Sequence, residues 1–196
     1  AALGPAGFRR EAFYPCYGLA EATLMVSGGG GAAAPRVMTA DRAALAAHAL
    51  EHANGSGGQA LVSCGRPLGD QELLIVDPQT LHPLAAGAVG EVWVRGDSVA
   101  AGYWNRPDES QQTFAARLAD GRGPYLRTGD LGGLRDGELF ITGRLKDVII
   151  IRGRNLYPQD VERTAQQSHE AVESGAAFAV GAPGREELVV VHQIGR

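Results

Sequence analysis

From Gln59 to Ile141 the chain repeats one pattern, and that pattern limits what it can fold into. Ala60-Leu61-Val62, Glu72 to Val76, Glu91 to Arg95, Tyr125-Leu126-Arg127 and Glu138 to Ile141 are short runs rich in β-branched and large apolar residues. Turn signals at Asp77-Pro78, Ala86-Gly87 and Asp136-Gly137 separate them. Hairpins folded into a small antiparallel β-barrel or curled sheet fit this spacing. The 28 glycines among 196 residues favour the same outcome, with many turns and few long helices.

The flanks read differently. Phe13 to Val26 suggests a strand end, a tight turn at Gly18 and a helical start over Glu21 to Met25. Ser27 to Ala34 is almost entirely glycine and alanine and reads as a flexible loop; no Gly-Lys-Ser/Thr ending follows to cradle a phosphate. Thr39 to Ala53 predicts a helix capped by Thr39 or Asp41 and ended by Asn54 to Gly58. Asp108 to Leu118 predicts an intervening helix with Phe114 and Leu118 on one face. Beyond Asp147 to Ile151, an apolar strand, the chain turns through Arg152 to Asn155. Pro158 suits a first helical position and Gln159 to Ser168 continue the helix, with Asp160 and Glu162 at its positive end. Ala176 to Val180 and Leu188 to Ile194 read as strands. The predicted class is α+β, with flanking helices around the hairpins and a small α+β part after them. The change of rhythm near Lys146 sets the expected boundary, with domains at 1–145 and 146–196.

Net charge is −4, with no run of like charges, which argues against nucleic acid as a partner. No apolar run approaches a membrane span, and the first ten residues lack the order of a signal peptide. Cys16 and Cys64 lack C-x-x-C spacing, and reduced thiols in the cytoplasm are expected.

Three blocks carry chemistry. They are Tyr17-Gly18-Leu19-Ala20-Glu21-Ala22-Thr23, then Arg127-Thr128-Gly129-Asp130-Leu131, then Gly143-Arg144-Leu145-Lys146-Asp147 running into Asn155-Leu156-Tyr157-Pro158. Each alone is a turn beside a charge. Glu21 alone reads as a helix first-turn acid, Asp130 as a turn-capping acid, and Lys146 with Asp147 as a solvated pair. Together they offer an aromatic face, two carboxylates and a guanidinium. A flat face suits adenine, a carboxylate suits a ribose diol, and magnesium takes few protein oxygens when phosphates and water supply the rest.

In this order the blocks resemble the adenylate-forming superfamily of acyl-CoA synthetases, peptide-synthetase adenylation domains and luciferases, and within it the fatty acyl-AMP ligases. The similarity runs from about Phe13 to Gln193. It implies that Tyr17, Gly18, Leu19 and Ala20 border the adenine and phosphates, and that Glu21 faces Mg2+. It gives the ribose hydroxyls to Asp130, with Arg144 at the same sugar after the turn at Asp136-Gly137, and lets Ile141 pack against the nucleotide. Glu21 and Arg144 would be the catalytic pair. Lys146 falls where the family hinges its small C-terminal domain. Ala20 stands where the wider superfamily has threonine, and Asn155 where CoA synthetases commonly have arginine; both look like subgroup marks. Residues 28–59 look like the insertion of fatty acyl-AMP ligases, which in that family disfavours the posture that accepts CoA. As a plain loop the same stretch would be a tolerated insertion.

The resemblance implies that ATP and a fatty acid give acyl-AMP and pyrophosphate, and that the acyl group passes to the phosphopantetheine arm of an acyl carrier protein. It also places a phosphate loop, most of the fatty-acid tunnel and a C-terminal lysine outside these residues. The chain is thus expected to be part of a longer enzyme and inactive alone. A CoA-forming synthetase or peptide-synthetase adenylation domain would share the first step; a catalytically silent binding fragment is the reading from another class.

Overall fold

The structure, a computed structural model, describes residues 3–29, 33–55, 58–151, 154–181 and 186–195, with Arg154 described by its backbone. The chain divides into two compact units, Ala1–Thr142 and Gly143–Arg196.

The first unit begins with a hairpin of β1 (Cys16–Leu19) and β2 (Leu24–Gly28). A single 3-10 turn, Ala20–Ala22, joins them in place of the helix predicted over Glu21 to Met25. Thr23 and Leu24 take positive φ of 53° and 84°, so the chain reverses before a helix can propagate. Val26, Ser27 and Gly28 are then buried as strand residues rather than loop. Gly18 permits this tight return: a Cβ there would lie 1.5 Å from the Leu24 carbonyl oxygen. Gly29, Ala33 and Ala34 lie outside any strand or helix, as the predicted loop requires, and residues 30–32 lie outside the described residues.

Next come β3 (Val37–Ala40), α1 (Arg42–Ala46) and β4 (Gln59–Val62), with β3 and β4 antiparallel. Asp41 caps α1 by accepting from the Ala44 N–H at 2.8 Å. Of the helix predicted from Thr39 to Ala53 only Arg42–Ala46 forms, since Thr39 and Ala40 belong to β3. His48 reaches a φ of 58°, and the Leu50 N–H donates to the Gly87 carbonyl at 2.7 Å. Burying Leu50 there outweighs the helix propensity of an alanine-rich run. The inner part of residues 28–59 is thus bonded to the unit's main sheet, with Arg135 donating to the Leu50 carbonyl at 2.8 Å.

After the short β5 (Arg66–Pro67), the main sheet follows the predicted runs: β6 (Glu72–Val76), β7 (Val89–Arg95), β8 (Leu126–Arg135) and β9 (Glu138–Arg144), in that order and neighbour to neighbour. Asp136 and Gly137 both take positive φ, 54° and 77°, as a two-residue hairpin turn requires. Between β7 and β8 lies α2 (Pro107–Phe114). The helix expected to reach Leu118 stops earlier, because Ala116 leaves it to bridge Tyr125, and Leu118 packs with Val76, Trp93 and Tyr125.

The expected barrel is corrected to an open arrangement of sheets that do not close. The described strands form separate sheets, β1-β2-β5 and β6-β7-β8-β9 among them. They are stitched at Leu139, which accepts from the Cys64 N–H and donates to the Gly65 carbonyl, both at 2.8 Å. A second cluster of buried side chains, with Tyr17, Val26, Ile75, Val92 and Leu139, fills the space between them.

The unit boundary falls within β9. The second unit contains a turn at Leu145–Asp147, β10 (Ile149–Ile151), β11 (Arg154–Leu156), α3 (Pro158–Gln166), β12 (Val172–Val180) and β13 (Glu187–Ile194). Pro158 opens α3 as predicted. The apolar strand begins at Ile149 rather than Asp147, since residues 145–147 form the turn. Glu162 has a further role beyond its helix: its carboxylate accepts from the Ala177 N–H at 3.0 Å, tying α3 to β12. Residues 152 and 153 of the predicted turn lie outside the described residues.

Candidate functional site

The first and second blocks meet in the first unit. The Tyr17 hydroxyl donates to Asp130 Oδ2 at 2.7 Å, across 113 positions of sequence. Each residue is 8% exposed, so the phenol and the carboxylate form a buried pair. Tyr17 reaches Asp130 from β1, where the register shifts between Tyr17 and Gly18. Ile141 on β9 packs against the same buried cluster as Tyr17.

Glu21 stands on the turn after β1, held from a third direction. Its Oε1 accepts from the Tyr103 hydroxyl at 2.8 Å, and its carbonyl accepts from the Ala100 N–H at 2.8 Å. Thr23 Oγ1 donates to the Ser98 carbonyl at 2.6 Å. Tyr103 is in turn fixed by α2: its N–H donates to Ser110 Oγ at 2.8 Å, and its ring meets Phe114 edge-on at 5.0 Å. Partial burial and then the Glu21 carboxylate hold the Tyr103 phenol above its usual pKa, so it stays a donor.

Asp130 is set by a bulge. Between the paired positions Trp93–Arg127 and Glu91–Leu131, β8 advances four steps while β7 advances two. Thr128, Gly129 and Asp130 occupy this bulge, and Gly129 has a φ of +71°. Thr128 Oγ1 donates to the Val92 carbonyl at 2.8 Å and accepts from the Asp130 N–H at 3.1 Å. Glu91, 2% exposed, lies beneath. Its carboxylate accepts from Arg127 Nη2 at 2.7 Å, Trp93 Nε1 at 2.9 Å and the Gly129 N–H at 3.2 Å.

Leu19 is half-buried; Gly18 and Ala20 are exposed beside Tyr17 and Glu21. Arg144 ends β9 and belongs to the second unit, as does Lys146, exposed in the turn Leu145–Asp147. The second unit also buries Tyr157 against Gly143, where a Cβ would come within 2.8 Å of the ring.

Glu91, Tyr103 and Thr128 were not among the sequence candidates. Glu91 carried one usable signal: it is the lone acid in an otherwise apolar strand core, and a buried carboxylate needs partners. Tyr103 carried none, because its partner lies 82 positions away. Among the described residues no group of three His, Cys, Asp or Glu is placed to hold a metal. A single carboxylate, Glu21, still fits magnesium, which keeps most of its shell in water and phosphate oxygens. No helix among the described residues is long and apolar enough to cross a membrane.

Residues 5–104 match the family model described as AMP-binding enzyme. The chain is 51% identical over 208 residues to the medium-chain-fatty-acid–[acyl-carrier-protein] ligase JamA of Moorena producens, covering 100% of this chain and 34% of that protein. It is 42% identical over 203 residues to the long-chain-fatty-acid–AMP ligase FadD26 of Mycobacterium tuberculosis, covering 99% and 34%. Among solved structures, a fatty acyl-adenylate ligase of Legionella pneumophila in complex with acyl adenylate and pyrophosphate superposes with a TM-score of 0.72 at 44% identity, covering 100% of this chain and 35% of that one. A structure from a study of fatty acyl-adenylate ligases of E. coli and L. pneumophila gives 0.84 at 34% identity, covering 98% and 34%. The chain thus spans about a third of the length of the curated relatives it matches. With the match extending across the Tyr17–Glu21 block and over half of the residues, this chain belongs to the AMP-binding enzyme family.

Proposed function

We propose that this chain is a segment of a cytoplasmic fatty acyl-AMP ligase, with residues 1–145 in its large adenylate-binding domain and 146–196 forming the hinge and part of the mobile domain. The enzyme joins a fatty acid to ATP. A carboxylate oxygen forms a bond to the α-phosphorus, the bond to the β-phosphate breaks, and pyrophosphate leaves. The acyl group then passes from AMP to the phosphopantetheine thiol of an acyl carrier protein. The names of JamA and FadD26, an acyl-carrier-protein ligase and an AMP ligase, favour this substrate class.

The observation that carries the reading is the buried Tyr17–Asp130 pair, with Glu21 on the turn directly after β1. Here Tyr17 and Ile141 supply apolar surface for adenine, and Gly18, Leu19 and Ala20 line the path to the phosphates. Asp130 binds the ribose diol. Arg144 adds a cation at the same sugar. Glu21 would hold Mg2+, which when bound offsets the charge of the phosphates. Lys146 is the hinge. The chain's own contribution is to align two anions for attack.

Asp130→Ala in the full-length enzyme tests this. Pyrophosphate release dependent on fatty acid should fall by on the order of 100-fold, given what one misplaced binding group costs; unchanged release would end the reading.

A further inference from the structure

The bulge that carries Asp130 is held open by a residue outside every motif block. We infer that Glu91 is a positioning residue that, with Thr128, sets selectivity for the ribose diol by fixing where Asp130 stands. This inference rests on the ribose role proposed above for Asp130.

The geometry is specific. A strand bulge leaves backbone N–H groups without ladder partners. Here the Gly129 N–H is taken by Glu91 Oε1 at 3.2 Å, and the Asp130 N–H by Thr128 Oγ1 at 3.1 Å. Both anchors trace to β7: Glu91 is part of it, and the Thr128 hydroxyl donates to the Val92 carbonyl at 2.8 Å. Arg127 Nε and Nη2, 3.0 Å and 2.7 Å from Glu91 Oε2, and Trp93 Nε1, 2.9 Å from it, lock the carboxylate in place. The Arg127 guanidinium also lies over the Trp93 ring, 5.5 Å from its centroid. The residues on both sides of Gly129 are thus tied to β7, and Asp130 extends from this frame to the Tyr17 hydroxyl. A carboxylate accepts at both oxygens; an amide of the same shape accepts at one and would set its NH2 against donors. Glu91→Gln therefore disturbs the frame without emptying the space.

The test compares ATP with 2′,3′-dideoxy-ATP, which lacks the diol, in pyrophosphate release by the full-length enzyme. The wild type should prefer ATP. Glu91→Gln should lower kcat/KM for ATP by roughly 10-fold to 100-fold and leave the dideoxy substrate within about 2-fold, collapsing the preference. Adding Asp130→Ala to Glu91→Gln should then remove little more. If Glu91→Gln does not fold, Thr128→Val decides, since it removes only the hydroxyl between Val92 and Asp130 and should shrink the same preference. An equal loss on both nucleotides in the folded variant overturns the inference, because a purely structural role weakens both alike. If Asp130→Ala itself leaves the preference intact, the ribose role fails first and the inference falls with it.

Discussion

Tyr103 and Glu21, far apart in sequence, are joined by a 2.8 Å hydrogen bond from phenol to carboxylate in the first unit. The bond keeps one face of Glu21 fixed, and the ring of Tyr103 is braced by Phe114. Tyr103→Phe keeps the ring and removes the donor. If Glu21 holds magnesium, the Mg2+ concentration for half-maximal acyl-AMP formation should shift by about 2-fold to 10-fold, the range of one ordinary solvent-accessible hydrogen bond. The Tyr103 phenol titrates above its ordinary value, so it is protonated in both states until alkaline pH. The shift should therefore be the same from about pH 6 to pH 9, below the usual tyrosine value. A magnesium titration of the variant at both ends of that range checks it.

Tyr17→Phe removes the donor that a buried carboxylate accepts. The loss should lower stability by about 1 to 3 kcal/mol, read as a drop in the urea midpoint with an unchanged slope. The Asp130→Asn variant should reduce this penalty, since a neutral amide in place of the carboxylate leaves less charge uncompensated.

Leu50 is fully buried although it lies in residues 28–59. Leu50→Ala should cost about 2 to 5 kcal/mol, as for a core leucine, whereas a loosely attached surface loop would give under about 0.5 kcal/mol. If the same stretch restrains CoA use, shortening it in the full-length enzyme should raise acyl-CoA thioester formation. Absence of any thioester after CoA addition would remove that role while leaving acyl-AMP formation untouched.

Cys16 is exposed and Cys64 half-buried, and burial raises the Cys64 thiol above its ordinary pKa. Iodoacetamide at pH 8 should label Cys16 first, with Cys64 slower by about 10-fold or more, because the thiolate is the nucleophile. The sign for stability follows. The raised folded-state value means the Cys64 contribution is fully present below the unfolded thiol pKa of about 8.5 and is lost as pH rises through the folded value. Cys64→Ala should flatten that alkaline part of the stability profile, measured by urea unfolding from about pH 7 to pH 10.

Much of the local structure was legible. The short apolar runs at Glu72 to Val76 and Glu138 to Ile141 marked strands that form, and Asp136-Gly137 marked the turn into the latter because both residues tolerate positive φ. Pro158 marked the start of α3. The misreadings fall where tertiary bonds overrode local preference. Thr39 to Ala53 looks helical by composition, but the Leu50 N–H is drawn to Gly87. Glu21 to Met25 looked like a helical start, but Val26 and Ser27 are needed in the core beside β1.

By itself, the sequence determined which chemical groups are present and where the backbone must turn, because φ restrictions and side-chain periodicity act within a few residues. Only the tertiary structure decided that the Tyr17 phenol meets Asp130, and that Glu91 lies beneath Gly129. These contacts span 113 and 38 positions of chain. No local preference encodes them; they follow from burying charged groups that need partners once the strands pair.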